Sequence, residues 1–212
     1  MMRVLLILLL FIVIHSITIT QTVKRACKNF FGEIFVRVFY RALYNTISFI
    51  TVGVAFYVIQ QQLDRQLWIA PGWLRWAMHG IQAAGLVFGM RAFQYLDIWE
   101  FMGLRQIWRY VVRRDVAGND EGLRLNKLVT EGVYGIVRHP LYLSGIVLFT
   151  FNPFVTVNRL TVTIIADLYF IFGMFIEERR FLKIFGDQYY EYMKHVPRFV
   201  PKLTSRKKSR LA

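Results

Sequence analysis

The sequence predicts an all-α integral membrane protein with about five transmembrane helices, a C-terminal helical hairpin and an amphipathic cytoplasmic tail helix. Two observations predict this fold class. Hydrophobic residues occupy 56% of the 212 positions, whereas soluble domains are usually about 45–50% apolar. The chain also contains long apolar runs with few or no charges, and about 20 such residues span a bilayer. These runs cover residues 4–19, 42–63, 76–94 and 141–176.

The N-terminal part of this single membrane domain, residues 1–96, is expected to contain three spans. The first is expected to be a retained helix rather than a cleaved signal peptide, because Arg3 is its only early charge and no small-residue cleavage motif follows. Cys27 is the single cysteine, which excludes an intramolecular disulfide. The three spans are predicted at about residues 3–21, 42–63 and 76–96.

The C-terminal part begins with a polar stretch, residues 97–137, that is expected to be a cytoplasmic connector. Within it, Ala117-Gly118-Asn119-Asp120 predicts a turn. Two short apolar segments follow, 141–151 and 160–176, and Asn152-Pro153 between them predicts a hairpin because proline breaks a helix. Residues 177–195 repeat apolar side chains every three to four positions, which predicts an amphipathic helix at the inner membrane surface.

The distribution of Lys and Arg predicts the orientation. The net charge of +14 favours nucleic-acid binding in a soluble protein. Here the basic residues cluster in alternate loops, which the positive-inside rule explains for cytoplasmic loops. We therefore expect a bacterial inner-membrane protein with its N-terminus outside, its C-terminus in the cytoplasm and no nucleic-acid partner. The basic tail, residues 202–212, is expected to be solvated or to bind lipid headgroups.

Residues 131–140 form the first candidate site. Gly132 is a glycine that allows backbone to approach a ligand closely, and Pro140 suits the first turn of a helix. The free N–H groups beyond Pro140, together with Arg138, favour an anion such as a carboxylate or phosphate. An ordinary helix start with an interfacial arginine explains the same residues, so both interpretations stay open here.

Glu177 and Glu178 form the second candidate site, at the end of the last apolar segment. Two adjacent carboxylates at a membrane edge are costly unless they are paired. Arginines satisfy them in the simplest interpretation, and a ligand's ammonium or hydroxyl groups satisfy them in the other. Because one hairpin separates Arg138 from Glu177, both motifs return to the same membrane face and are expected to meet.

Three segments carry a family resemblance. RHPLY at 138–142, EER at 177–179 and FGDQYYEYMKHVPRFVP at 185–201, in this order and spacing, resemble the isoprenylcysteine carboxyl methyltransferase superfamily of integral-membrane methyltransferases. The resemblance implies S-adenosyl-L-methionine as the cofactor, held on the cytoplasmic side by the hairpin and tail helix of residues 138–201. The cofactor residues that it implies are Arg138, His139, Pro140, Tyr142, Glu177 and Glu178. Gly132 is added because a glycine lets the backbone approach the cofactor closely. Tyr134 is added, with Tyr142, as an aromatic side chain that lines the cofactor site.

The N-terminal half narrows the resemblance. His15-Ser16, Val23-Lys24-Arg25, residues 40–45 (YRALYN) and residues 101–106 (FMGLRQ) resemble a bacterial branch that contains methanethiol S-methyltransferases and NnrU-like proteins. This branch implies a small thiol such as methanethiol as the methyl acceptor. Two alternatives stay open: an isoprenylcysteine carboxylate or phospholipid-like acceptor, and a non-catalytic membrane accessory protein.

A thiol acceptor reacts as its thiolate, which requires a base or a local positive field. His15 is the first candidate base, His139 the second, and Arg138 is the candidate for the positive field. Tyr44 and Asn45 are candidate groups of the acceptor pocket. A buried histidine in a span is more often part of a hydrogen-bonded structure than a base, and hydrogen bonding between helices is the alternative explanation for Tyr44 and Asn45. The scattered histidines and the lone cysteine do not have zinc-ligand spacing, so no metal is expected.

Overall fold

The computed structural model describes residues 1–116 and 128–201. The predicted turn at Ala117-Gly118-Asn119-Asp120 and the basic tail 202–212 lie outside these residues. The described elements, in chain order, are α1 (Met2–Thr18), α2 (Gln21–Phe31), α3 (Glu33–Val38), α4 (Tyr40–Gln60), β1 (Gln66–Ile69), α5 (Gly72–Phe93), α6 (Ile98–Met102), α7 (Leu104–Arg113), a 3-10 turn (Gly132–Gly135), α8 (Pro140–Thr150), β2 (Phe154–Thr156), α9 (Val157–Phe185) and α10 (Asp187–His195).

Two helices of the described residues, α4 and α9, are long and apolar enough to cross a membrane. The pair α1 and α2, bent by 62° at residues 19–20, counts as a third if it forms one span. Helix α8 is apolar, but its 11 residues reach only about 16 Å, against about 30 Å of bilayer core. Helix α5 is long enough but carries polar residues such as His79 and Gln82. The count of five spans therefore stays a prediction.

A short antiparallel sheet joins one end of α4 to the start of α9. Strand β1 pairs with β2, with Trp68 opposite Val155. The link continues beyond the strands, because the N–H of Asn158 donates to a carboxylate oxygen of Asp64 at 3.0 Å. The predicted Asn152-Pro153 break is thus part of a small cap at this end of the helices.

Helix α5 packs closely on α8 because two glycines on α5 leave room for it. A Cβ on Gly85 would lie 2.7 Å from Cγ1 of Val147, and one on Gly89 would lie 2.9 Å from the hydroxyl of Ser144. Small residues four apart let two helix backbones approach in this way. The contact fixes the position of α8, whose first residue is Pro140.

The corner between α6 and α7 lies against the start of α4. Gly103 adopts φ +84° there, and a Cβ at this position would collide with the backbone of Ala42. The side chains of Arg41 and Asn45 each donate to the carbonyl of Phe101, at 2.9 Å in both cases. These bonds hold α6 beside the N-terminal end of α4.

The prediction of one amphipathic helix over residues 177–195 is wrong. Helix α9 continues without a break through Glu177 to Phe185, because this stretch contains no glycine or proline that would end it. Gly186, at φ +53°, then separates α9 from α10. The apolar side of α10 forms a core with the end of α9 and with Leu128, centred on the buried Tyr189 and Tyr192.

Candidate functional site

The segment before α8 is a tight turn that a glycine makes possible. Gly132 begins the 3-10 turn at φ +60°, and a Cβ there would collide with the ring of Tyr95. His139 follows as the residue that precedes α8, and Pro140 is the first helical residue. The sequence prediction of a helix start at Pro140 is confirmed.

Arg138 is buried and connects three parts of the chain. Its Nε and Nη2 donate to Oε1 of Glu178 at 3.0 and 2.6 Å. Its Nη1 donates to the carbonyls of Met193 and Val196, at 2.8 Å each. The expectation that the Arg138 and glutamate motifs meet is confirmed, and the guanidinium is mostly occupied by the protein's own acceptors.

Glu178 is also bound by a second arginine. Nε and Nη2 of Arg198 donate to its Oε2 at 3.2 and 3.1 Å. The side chain of Glu178 is only 5% exposed, while that of Arg198 is 46% exposed. A buried carboxylate with two arginine partners is satisfied as an ion, which is the condition for keeping such a charge inside a protein.

His139 lies between the two glutamates. Its Nδ1 is 3.2 Å from Oε2 of Glu177, and its Nε2 is 3.2 Å from Oε1 of Glu178. Burial alone would lower the pKa of His139, but the hydrogen bonds to Glu177 and Glu178 outweigh it and raise the pKa above its ordinary value. When the ring is protonated, both of its nitrogens donate to the carboxylates. The ring stacks on Tyr142 with centroids 5.6 Å apart.

A cavity of about 200 Å³ opens beside this cluster. Glu177 supplies a carboxylate to it with a side chain that is 33% exposed. Burial, with Glu177 adding to it, raises the pKa of Tyr134, so this phenol stays neutral. The cavity is lined by aromatic and charged side chains that include Tyr95, Asp97, Tyr134, Arg138, His139, Tyr142 and Glu177.

The structure brings most of the predicted cofactor residues to this cavity. Tyr134, Arg138, His139, Pro140, Tyr142 and Glu177 line it. Gly132 and Glu178 are not among the lining residues in the described part of the chain. Gly132 instead makes room for Tyr95, and Glu178 lies behind the wall as the partner of the arginines.

His15, Tyr44 and Asn45 form a separate set of contacts among α1, α4 and α6. The Nε2 of His15 is 2.7 Å from the hydroxyl of Tyr44, and its Nδ1 is 2.9 Å from the hydroxyl of Ser48. None of the three predicted residues lines the cavity within the described residues. Their catalytic or acceptor roles therefore stay predictions.

Three residues of the site were not found from the sequence. Tyr95 and Asp97 reach the cavity from the loop between α5 and α6. Arg198 reaches Glu178 from the irregular segment that follows α10. This segment lies beside Arg138, whose backbone N–H donates to the carbonyl of Pro197 at 2.9 Å. Arg198 lies in the segment at 185–201 that carries the family resemblance, but the resemblance gave this residue no role.

Membrane-length helices, with a buried ionic cluster beside an aromatic cavity near one end of them, define an integral membrane protein with a candidate ligand cavity. The chain belongs to the NnrU protein family, whose family model matches residues 3–172. The predicted resemblance to the NnrU-like branch is confirmed by this match.

Comparison with characterised proteins gives relatives of two kinds. The chain is 25% identical to methanethiol S-methyltransferase 2 of Bradyrhizobium diazoefficiens over 205 residues, which cover 97% of this chain and 74% of the relative. It is 26% identical to methanethiol S-methyltransferase of Pseudomonas deceptionensis over 209 residues, 93% of this chain and 71% of the relative. It is 36% identical over 80 residues to protein-S-isoprenylcysteine O-methyltransferase B of Arabidopsis thaliana, 36% of this chain and 40% of the relative. No solved structure matches.

Proposed function

We propose that this protein is an S-adenosylmethionine-dependent integral-membrane methyltransferase that methylates a small thiol such as methanethiol. The observation that carries the proposal is the carboxylate of Glu177 in an aromatic cavity beside the Arg138-His139 segment. The relatives named as methanethiol S-methyltransferases, which align with nearly the whole chain, support the choice of acceptor.

The side chains of the cavity fit the cofactor chemically. S-adenosylmethionine, when bound, supplies a methyl group on a sulfonium cation and also carries an amino-acid head group, ribose hydroxyls and adenine. The carboxylates of Glu177 and Asp97 accept from ammonium or hydroxyl groups. The ring of Tyr134 provides a face for adenine or for the sulfonium cation. Tyr142 lines the wall with its ring stacked on His139 and Phe170.

The size of the cavity sets a condition on binding. Its volume of about 200 Å³ lies below the ~300–1,000 Å³ of most small-molecule sites. A nucleoside-sized cofactor therefore binds with part of its surface outside the cavity or with lining side chains moved aside. Tyr95, which enters from the loop before α6, is one such side chain.

The residues around the cavity have distinct proposed roles. Glu177 holds the cofactor, and His139 orients Glu177 through the Nδ1 contact at 3.2 Å. Arg138 binds Glu178, which lies behind the residues that line the cavity. Arg138 is the proposed source of the positive field that favours a thiolate near the cavity, and His139 adds to this field when it is protonated. His15 stays a candidate base, although the proposal does not depend on it.

Two other functions have specific support. The Arabidopsis relative favours a lipid-like acceptor, such as an isoprenylcysteine carboxylate. Membership of the NnrU family leaves a non-catalytic accessory role as the second alternative. The first predicts methyl transfer to a lipid substrate and not to a small thiol. The second predicts no cofactor binding.

The decisive experiment measures methyl transfer by the purified full-length protein. Labelled S-adenosylmethionine and methanethiol are supplied, and labelled dimethyl sulfide is measured in the headspace. Wild-type protein is expected to form the product, while Glu177→Gln is expected to lose it. Glu191→Gln is the matched control, because Glu191 is an exposed residue of α10 that pairs with Lys194.

Each negative result has a separate meaning when cofactor binding is measured by calorimetry on the same samples. Binding without product from methanethiol would reject the small-thiol acceptor and favour a lipid acceptor. Absence of binding by well-folded wild-type protein would reject the methyltransferase proposal.

A further inference from the structure

A second concave site lies beside α6 and α7 and shares no lining residue with the cavity. Its volume of about 590 Å³ falls within the ~300–1,000 Å³ that is usual for small-ligand sites. We call it the Trp-Arg groove. It is lined by Trp99, Leu104, Arg105, Trp108, Arg109 and Arg113.

Helix α7 has exposed apolar residues in this groove, Leu104 and Trp108, and one outside its lining, Val112. Leu104, Trp108 and Val112 recur every four residues, and Trp108 and Val112 are 52% and 59% exposed. A helix in a soluble protein would bury such a stripe. The opposite arrangement, with an exposed apolar stripe beside basic residues, is typical of a helix that lies in the membrane interface.

The arginines of the groove form a parallel stripe with surplus positive charge. Arg105 pairs with Asp97, and Arg109 is 3.2 Å from a carboxylate oxygen of Glu100. Arg113 has no carboxylate partner among the described residues, and its guanidinium carbon lies 5.3 Å from the ring centroid of Trp108. One cation at the end of the stripe thus remains available to an anionic ligand.

The position of the groove matches the edge of a bilayer. Helix α7 lies beside the N-terminal end of α4, where the rings of Phe39 and Tyr110 are 5.8 Å apart. Helix α4 is long and apolar enough to cross a membrane. Tryptophan is enriched at such interfaces, where headgroups and acyl chains meet.

We propose that the Trp-Arg groove binds an anionic phospholipid of the surrounding membrane. The phosphate headgroup contacts Arg113 and the edge of the arginine stripe, and the acyl chains lie along Trp108 and Val112. A lipid with a zwitterionic headgroup is expected to bind less tightly, because the cation of the headgroup offsets the attraction of its phosphate to the arginines. This site is separate from the cavity and does not depend on the proposed methyl transfer.

The test is a lipid titration of the full-length protein in detergent micelles, followed by native mass spectrometry. Phosphatidylglycerol is compared with phosphatidylcholine of the same acyl chains. Phosphatidylglycerol is expected to bind more tightly, and Arg113→Gln is expected to weaken it roughly fivefold, the effect typical of one basic residue near an anionic surface. Binding is also expected to weaken with salt, because the exposed charges are screened.

Arg65→Gln is the matched control, because Arg65 is exposed and follows the opposite end of α4. Other basic segments contribute equally to wild type and both variants, so the difference between the variants reports the groove. The proposal is overturned if the two lipids bind equally, if Arg65→Gln weakens binding as much as Arg113→Gln, or if inorganic phosphate displaces the lipid more than sodium chloride of the same ionic strength does.

Discussion

The two adjacent glutamates illustrate how neighbouring residues come to do different work. Glu177 is a third exposed and lines the cavity, whereas Glu178 is buried between Arg138 and Arg198. Successive residues of a helix point about 100° apart, so one faces the ligand space and the other faces the protein. We therefore assign ligand binding to Glu177 and structural support to Glu178.

Replacing Glu178 is expected to destabilise the fold. In Glu178→Gln the buried Arg138 keeps its charge but loses its carboxylate, and breaking such a pair typically costs about 3–5 kcal/mol. The Arg198 side of the network is half-exposed, so the lower end of that range is expected. Thermal unfolding of the purified protein in detergent checks this. Glu177→Gln is the paired variant, expected to lower the unfolding temperature much less, because its partner His139 keeps the contact with Glu178, and to lose cofactor binding; equal unfolding temperatures for the two variants would contradict the assignment.

The pH dependence of stability is expected to follow His139. Its pKa in the folded protein is raised above the value of 6.5 that it has when unfolded, so folding favours the protonated ring. This contribution is fully present below about pH 6.5 and is lost as the pH rises through the raised pKa. Unfolding measured from about pH 6 to about pH 9 should show the decline, and His139→Gln should reduce it. A decline that is unchanged in the variant would assign it to another group.

For the residues of the site, the sequence predicted which side chains meet, but it did not predict which of them line the cavity and which support its wall. The Arg138 and glutamate motifs could be placed together because each lies at the same end of an apolar segment. The separation of Glu177 from Glu178 depends on helix rotation, and the contribution of Arg198 depends on an irregular segment with no periodic pattern. Neither is encoded in local spacing.

Among the elements, the contact of α5 with α8 positions the cavity, because α8 carries Pro140 and Tyr142 at its start. Gly85→Ala is expected to destabilise this contact, since the new Cβ would lie 2.7 Å from Cγ1 of Val147 and overpacking costs about 1–3 kcal/mol. Gly80→Ala is the matched control on the same helix, because nothing lies within 4 Å of its Cβ position. It is expected to stabilise α5 by up to about 1 kcal/mol.

Both variants are compared by thermal unfolding, and the cause is checked by a second substitution. Val147→Ala removes the clashing methyl group, so the double variant Gly85→Ala/Val147→Ala should recover part of the lost stability relative to Val147→Ala alone. Lack of any recovery would show that the close approach of the two helices is not the reason why Gly85→Ala destabilises the protein.

The boundaries of elements were predicted well where apolar runs end at polar residues, and poorly where they do not. Helix α4, at residues 40–60, lies close to the predicted span at 42–63. Helix α9 instead continues past its apolar part, because the charged residues from Glu177 onward still favour a helix. The glycine packing of α5 was not predicted, since glycines within a helix have no visible partner in a single sequence.

Over the whole molecule, α4 and α9 connect the two-stranded cap to the candidate site. Helix α4 leads from the region of Phe101, in the cavity wall, to the strand β1, while α9 leads from β2 back to Glu177. Residues 157–177 of α9 extend about 30 Å, which equals the thickness of the bilayer core. If α9 crosses the membrane along these residues, the cap and the site lie on opposite sides of it.

The orientation proposed from the basic loops can be tested with single cysteines. In a Cys27→Ser background, Leu63→Cys marks the cap and Tyr190→Cys marks the site end, at positions that are 99% and 53% exposed. An impermeant maleimide added to intact spheroplasts is expected to label Leu63→Cys but not Tyr190→Cys, because the positive-inside rule places the basic, site-bearing end in the cytoplasm. Inside-out vesicles should give the reverse pattern, which controls for burial of either position. Labelling of Tyr190→Cys in spheroplasts would place the site outside, where a cytoplasmic pool of S-adenosylmethionine would not reach it.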